Sequence, residues 1–297
     1  MTQGMNPGRL LCHAPYTPFM NARTAHAPGL SPLDPVEWLP VDPDFAEQMA
    51  YREDLLRRVP DVVLAMQRGA EHAVAEMFDT VLQHLADRTD YALDGGALTR
   101  PDGVRVAIDA GHPLETLTQL CAADFCLLSP DDAGGEYRLI AATLCFPSRW
   151  LLAEKIGHPL TVIHDPVPDY DDSLAKRVNR MFEALRVDRP LVRINWLVHA
   201  APELHLPLGL SDKLVARADP AQGIYLRTER QTLHRLPETG AVVFGIKTTL
   251  CPLEALTAVQ ATALGRELSR LDPDTISYRS GADLHTAAIA LLKDLSG

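Results

Sequence analysis

The chain has 297 residues, 46% hydrophobic and 23% charged, with a net charge of −11. Such a composition buries a substantial core and is not that of a disordered chain. The acidic balance, with no block of Lys and Arg, argues against nucleic acid or an anionic membrane surface as a partner, and no apolar run approaches the roughly 20 residues of a membrane helix.

Residues 1–42 are rich in proline and weakly periodic, and read as an extended arm that Trp38 and Leu39 can pin to a single domain over 43–297. The first residues lack the charged-then-apolar layout of a signal peptide. The five cysteines, Cys12, Cys121, Cys126, Cys145 and Cys251, form no CxxC and predict reduced thiols in a cytoplasmic protein.

Asp44 is placed to cap "FAEQMAYREDLLRR", which stops before Pro60. In "GAEHAVAEMFDTVLQHLADR", Val74, Met77, Phe78, Val81, Leu82 and Leu85 recur at helical spacing and predict one apolar face. Near residue 124 the pattern changes. "DFCLLS", a turn holding Asp131 and Asp132, and "EYRLIAATLCF" read as a hairpin, with Cys121 and Cys126 in the core at the helix–strand junction. "PSRWLLAEKIG" reads as a short helix with Ser148 as N-cap and Gly157 as its stop.

The next stretch, "IGHPLTVIHDPVP", holds two histidines among three prolines and reads as a stiff loop. "DDSLAKRVNRMFEALRV" puts Leu174, Val178, Met181, Phe182 and Leu185 on one helical stripe. "LVRINWLVHA", "GIYLRTERQTLHRL" and "GAVVFGIKTTL" read as strands, the last two joined by "PETG", and two amphipathic helices close the chain. The fold class is α+β. The expected architecture is a PAS-like antiparallel sheet of about five strands, with helices inserted between strands 2 and 3 and flanking helices at both ends.

Alternation along "YLRTERQTLHRL" puts Tyr225, Arg227, Glu229, Gln231 and Leu233 on one face, and Leu226, Thr228, Arg230, Thr232 and His234 on the other. Either this is a solvated edge strand, or one face lines a polar pocket in which Arg227 and Glu229 pair. The apolar strand that follows favours an interior position. Among the histidines, His164 stands out because the "DPVP" after it restricts the backbone, as a metal ligand requires. His158 and His234 are the alternatives. The chain carries no HExxH, GxGxxG, P-loop or GxSxG motif.

"LCFPSRWLLAEKIGHPLTVIHDPVPDY", "VRINW" and "LRTERQTLHRLPETGAVVFGIKTTLCPL" occur in this order. Together they resemble the haem-dependent oxidative N-demethylase α-subunit family, a bacterial and fungal family formerly known only as a domain of unknown function. The likeness runs from "GLSPLDPVEWLPVD" to "TTLCPL".

The resemblance implies a PAS-like fold binding haem b, and oxidation by O2 of a small secondary amine such as dimethylamine, with release of formaldehyde. Electrons would come from NADPH through separate flavin and iron–sulfur subunits. By analogy with haem PAS sensors, whose axial histidine lies between the second and third strands, His164 is the expected metal ligand. Arg149, Arg193 and Arg235 are candidate propionate partners, since a guanidinium matches a carboxylate. Tyr225, Arg227, Glu229 and Gln231 would form the polar side of the O2 and amine pocket, with Arg227 stabilising negative charge on oxygen and Glu229 orienting the ammonium. One departure is that Ala122 and Ala123 stand where two polar residues are expected before Asp124. The rival readings are a haem-based gas or redox module without turnover, and a haem-free small-molecule domain.

Overall fold

The apolar residues of the N-terminal arm decide its path. A computed structural model of the chain describes residues 10–25, 29–130, 135–164, 172–208 and 223–297, without the side chains of residues 164, 172–175 and 278. Leu11, Phe19, Leu33, Trp38 and Leu39 are all buried, so the described part of the arm lies on the body. Strand β1 (Ser31–Pro32) pairs antiparallel with residues 191–192. The Asp34 side chain then accepts from Val36 N at 3.0 Å and starts a single 3-10 turn.

Helix α1 (Phe45–Arg58) follows, and α2 (Pro60–Val63) begins on the proline that ended it. The expected Asp44 cap does not form. Its carboxylate is buried and accepts instead from Gln48 Nε2 at 2.6 Å, with Lys247 Nζ 3.5 Å away. Strand β2 (Leu64–Met66) leads to α3 (Glu71–Ala86), whose predicted stripe is realised: Val74, Met77, Phe78, Val81 and Leu85 are buried. Burial of each such side chain contributes about 1.5–3 kcal/mol.

Strands β3 (Ala92–Asp94), β4 (Ala97–Thr99) and β5 (Arg105–Ala107) make a small sheet of their own. Gly95 and Gly96 turn the first hairpin, at φ of 56° and 80°, where a side chain would be strained. Helix α4 (Pro113–Leu120) drives Leu117 and Leu120 into the core.

The predicted hairpin is β6 (Asp124–Pro130) and β7 (Tyr137–Thr143), antiparallel with a bulge between Leu127 and Leu128. Its Asp131–Asp132 turn lies outside the described residues. Of the helix expected over "PSRWLLAEKIG", only a 3-10 turn at Leu152–Glu154 forms. Ser148 caps nothing; it bridges to Leu206, and its Oγ lies 3.4 Å from His199 Nε2. The stiff loop is also corrected in part. Residues after Pro159 wind into α5 (Leu160–His164), and residues 165–171 lie outside the described residues. Helix α6 (Asp172–Glu183) packs Phe182, and Leu185 just beyond it, into the core.

Strands β8 (Leu191–His199), β9 (Tyr225–Arg235) and β10 (Val242–Pro252) and helices α7 (Ala258–Leu268), α8 (Pro273–Arg279) and α9 (Ala282–Ser296) complete the chain. A capping box between Thr257 and Gln260 starts α7.

The main sheet is antiparallel with seven strands, in the order β1-β8-β9-β10-β6-β7-β2. The five long strands are those read from the sequence. The two short edge strands, too brief to show alternation, raise the count. One face packs on α3 and α4 at one end, through Phe125, Leu127 and Val243, and on α7 and α9 at the other, through Trp196, Val198 and Leu226. The inserted segment with α5 and α6 covers the opposite face through Cys126, Leu128, Leu233 and Phe182.

Candidate functional site

Strand β9 settles the choice left open by its sequence. It pairs with β8 on one side and β10 on the other, so it is an interior strand and not a solvated edge. The face holding Tyr225, Arg227, Glu229, Gln231 and Leu233 looks toward the inserted segment. Register places Arg193 of β8 beside Gln231, Asn195 beside Glu229 and His199 beside Tyr225.

These side chains form one hydrogen-bonded row. Arg193 Nε donates to Gln231 Oε1 at 2.7 Å, and Gln231 Nε2 donates to Glu229 Oε2 at 3.1 Å. Asn195 Nδ2 reaches the same carboxylate oxygen at 3.5 Å, and Arg227 Nε lies 3.3 Å from the other, Oε1. Glu229 is therefore held through both oxygens, with its side chain 12% exposed above a fully buried Arg227. Arg227 spends its remaining donors on two backbone carbonyls, Leu204 O at 3.0 Å and Phe146 O at 2.6 Å. Burial lowers its pKa, and the Glu229 carboxylate offsets part of that.

An apolar floor lies beside this row. Phe244 and Ile246 sit on an interior strand yet remain partly exposed, while Val243, Gly245 and Lys247, which point to the other face, are buried. Among the described residues, the inserted segment therefore does not seal the sheet here. Trp150, Ile156 and Ile163 of that segment pack around the same cluster, also partly exposed. Thr248 Oγ1, beside Glu229 across the β9–β10 register, is buried with no partner among the described residues. An open apolar patch edged by guanidinium and carboxylate groups has the chemistry of a site for a flat, largely apolar group with anionic arms.

The other predicted residues separate by position. Arg149 has φ of 61° in a residue other than glycine, which marks a constrained backbone. Its N–H donates to Leu206 O at 2.8 Å, and its guanidinium reaches the Arg279 carbonyl. Arg235 stands at the far end of β9, and its fork closes the end of α6: Nε donates to Leu185 O at 2.8 Å and Nη2 to Phe182 O at 2.5 Å. Tyr225 is buried opposite His199. His158 is exposed. His234 points to the other face, stacked on Trp38, and so is not part of this site.

His164 ends α5, and its side chain lies outside the described residues. The helix itself is braced at both ends. Glu136 accepts from Thr161 N at 2.6 Å and from Thr161 Oγ1 at 2.8 Å, while Lys155 Nζ donates to Ile163 O at 2.5 Å.

Two members of the site went unnoticed in the sequence. His199 is 5% exposed, and burial, with Arg227 and Arg149 nearby, puts its pKa well below the usual imidazole range, so it is neutral. Asn195 completes the cradle of Glu229. Alternation along "VRINWLVH" carried the signal for both, since it puts a polar group at residues 193, 195 and 199. Ala122 and Ala123 are buried in the core against α4, in the same cluster as Leu117 and Leu120.

A family model described as haem-dependent oxidative N-demethylase, alpha subunit-like, matches residues 29–289. That span holds the whole seven-stranded sheet, the polar row and the inserted segment. The chain therefore belongs to the haem-dependent oxidative N-demethylase, alpha subunit-like family.

Proposed function

We propose that this chain carries out the oxidative N-demethylation of a small secondary amine on a haem b bound at the open face of a PAS-like sheet. The observation that carries this reading is the juxtaposition of an apolar floor, Phe244 and Ile246, with an oriented carboxylate, Glu229, in a chain of this family. The order of the five long strands, third-fourth-fifth-first-second, supports the PAS-like assignment.

In this reading His164 would hold the haem iron, from a helix whose two ends are tied to Glu136 and Lys155. Arg193 and Arg149 would receive the propionates. Arg235 is the third candidate, although its donors already close α6. When bound, the haem supplies the O2-dependent oxidation of the N-methyl carbon. In balance, amine, O2, two electrons and two protons give the demethylated amine, formaldehyde and water.

The chain's own residues bind and orient. Glu229 accepts an N–H from the ammonium form of the substrate. Gln231 and Asn195 fix the carboxylate's second oxygen, and Arg227 fixes its first while adding positive potential for charge that develops on oxygen. Tyr225 and neutral His199 close the buried end. Electrons come from a separate NADPH-dependent flavin and iron–sulfur reductase, in keeping with an alpha subunit-like chain that works with companion subunits. A cytoplasmic location fits five unpaired cysteines. Among the described residues no helix is long and apolar enough to cross a membrane.

The test is the visible spectrum of the purified protein after haem supplementation, followed by formaldehyde assays with NADPH, a reductase and a panel of methylated amines. A Soret band with formaldehyde release is the expected result. A Soret band with no formaldehyde from any amine would leave a gas- or redox-binding module. Absence of the band would remove haem from the account.

A further inference from the structure

The row on β8 and β9 is anchored at one end by a group that does not lie on that row. Arg52 of α1 and Asp124 of β6 are 0% and 1% exposed, with Nη1 2.6 Å from Oδ1. Arg52 spends its other donors on the carbonyls of Thr118, at 3.2 Å, and Ala123, at 2.7 Å. Asp124 faces the segment entering the insertion. Its Oδ1 accepts from Cys145 N and its Oδ2 from Phe146 N, both at 2.8 Å.

Phe146 is thereby held on every side. Its N–H belongs to Asp124, its ring lies under the Arg52 guanidinium at 5.5 Å, and Pro147 restricts its backbone. Its carbonyl is the acceptor for Arg227 Nη2 at 2.6 Å.

We infer that the buried Arg52–Asp124 pair positions Arg227, and through it the Glu229 carboxylate, by fixing the Phe146 backbone. Such a fully buried pair adds little net stability once its desolvation is counted, and its remaining lone pairs and N–H groups need partners in any case. What singles out this pair is the choice of those partners: the carboxylate takes two consecutive backbone donors, and the second belongs to Phe146, whose own carbonyl aims Arg227. Asp124 and Arg52 are positioning residues; neither touches the proposed substrate. That the positioned carboxylate serves amine binding rests on the functional reading above, whereas the positioning itself does not.

The experiment uses two variants, since Asp124→Asn leaves a buried guanidinium without its counter-charge. The second, Arg52→Met with Asp124→Leu, removes both charges together, so that no unpaired ion is left buried. Leu117→Ala, a core truncation away from the row, controls for lost stability. The first readout is hydrogen exchange at Arg227 Nε–H by NMR, which needs neither haem nor amine. It should be slow in the wild type and in Leu117→Ala, and at least about tenfold faster in the pair variant. Unchanged exchange would overturn the inference.

The second readout is the spectral titration of haem-loaded protein with dimethylammonium chloride. The pair variant should weaken binding about tenfold, but less than about twofold in an Arg227→Gln background, because both changes break one chain of contacts. Full additivity would also overturn it. A wild type that binds no amine would sink the amine reading and leave the exchange result to decide the positioning.

Discussion

The indole of Trp38 stacks on the imidazole of His234, with ring centroids 4.0 Å apart, and His84 closes on the same indole at 4.9 Å. Trp38 Nε1, His84 Nε2 and His234 Nε2 are buried without a hydrogen-bond partner among the described residues. Cations hold the backbone beside them: Arg230 donates to Trp38 O at 3.1 Å and Arg88 to Leu39 O at 2.8 Å. The arm is thus pinned by neutral rings set among positive groups.

Acid should therefore loosen the protein. Burial, with His84 and Arg230 adding to it, pushes the His234 pKa down to about 3, and burial and Arg88 lower that of His84. An unfolded histidine titrates near 6.5, so below that pH the unfolded chain binds more protons and stability falls as pH falls. Down to pH 5, His234 alone should cost about 2 kcal/mol relative to pH 8. Urea midpoints across this range measure the slope. His234→Phe, which keeps a ring against Trp38, should flatten it by that amount.

Glu229→Gln keeps the shape of the row and removes its charge. The expected result is an amine KM raised about tenfold or more, with the haem spectrum unchanged. Arg227→Ala should lower turnover about a hundredfold while haem stays bound. Full activity in Arg227→Ala would remove that residue from the mechanism.

The proposed role of His164 as the iron ligand has a spectroscopic test. His164→Ala should abolish or shift the Soret band, and His158→Ala, at an exposed position, should leave it alone. A wild-type spectrum in His164→Ala would transfer the ligand role to another histidine, with buried His199 the next to test.

Arg235 offers a contrast. Its guanidinium satisfies the carbonyls of Leu185, Phe182 and Gly240 and the Tyr137 hydroxyl. Arg235→Met should cost about 2–4 kcal/mol of stability, read by denaturant unfolding, with haem content per folded molecule unchanged.

What the sequence disclosed follows from range and length. The stripe of α3 and the alternation in β9 are local patterns repeated over many residues, so both were legible. Strands β2 to β5 have three residues each, too few for a period to emerge. Asp44 and Ser148 have the residue type of a helix cap, but tertiary partners, Lys247 for one and His199 for the other, draw their side chains away. The Arg227–Glu229 pair could be anticipated because two residues on one strand face share their surroundings. The Arg52–Asp124 contact joins residues 72 positions apart, and no local pattern announces it.

The sheet ends at β1, two residues with Pro32 as one of them, and at β2, three residues. A border so short, and on one side lacking a donor, gives a neighbouring chain almost nothing to copy in register. Along residues 191–192 and 141–143 the long strands β8 and β7 are thus covered by segments that make poor templates, and are kept from the edge-on stacking that seeds fibrils.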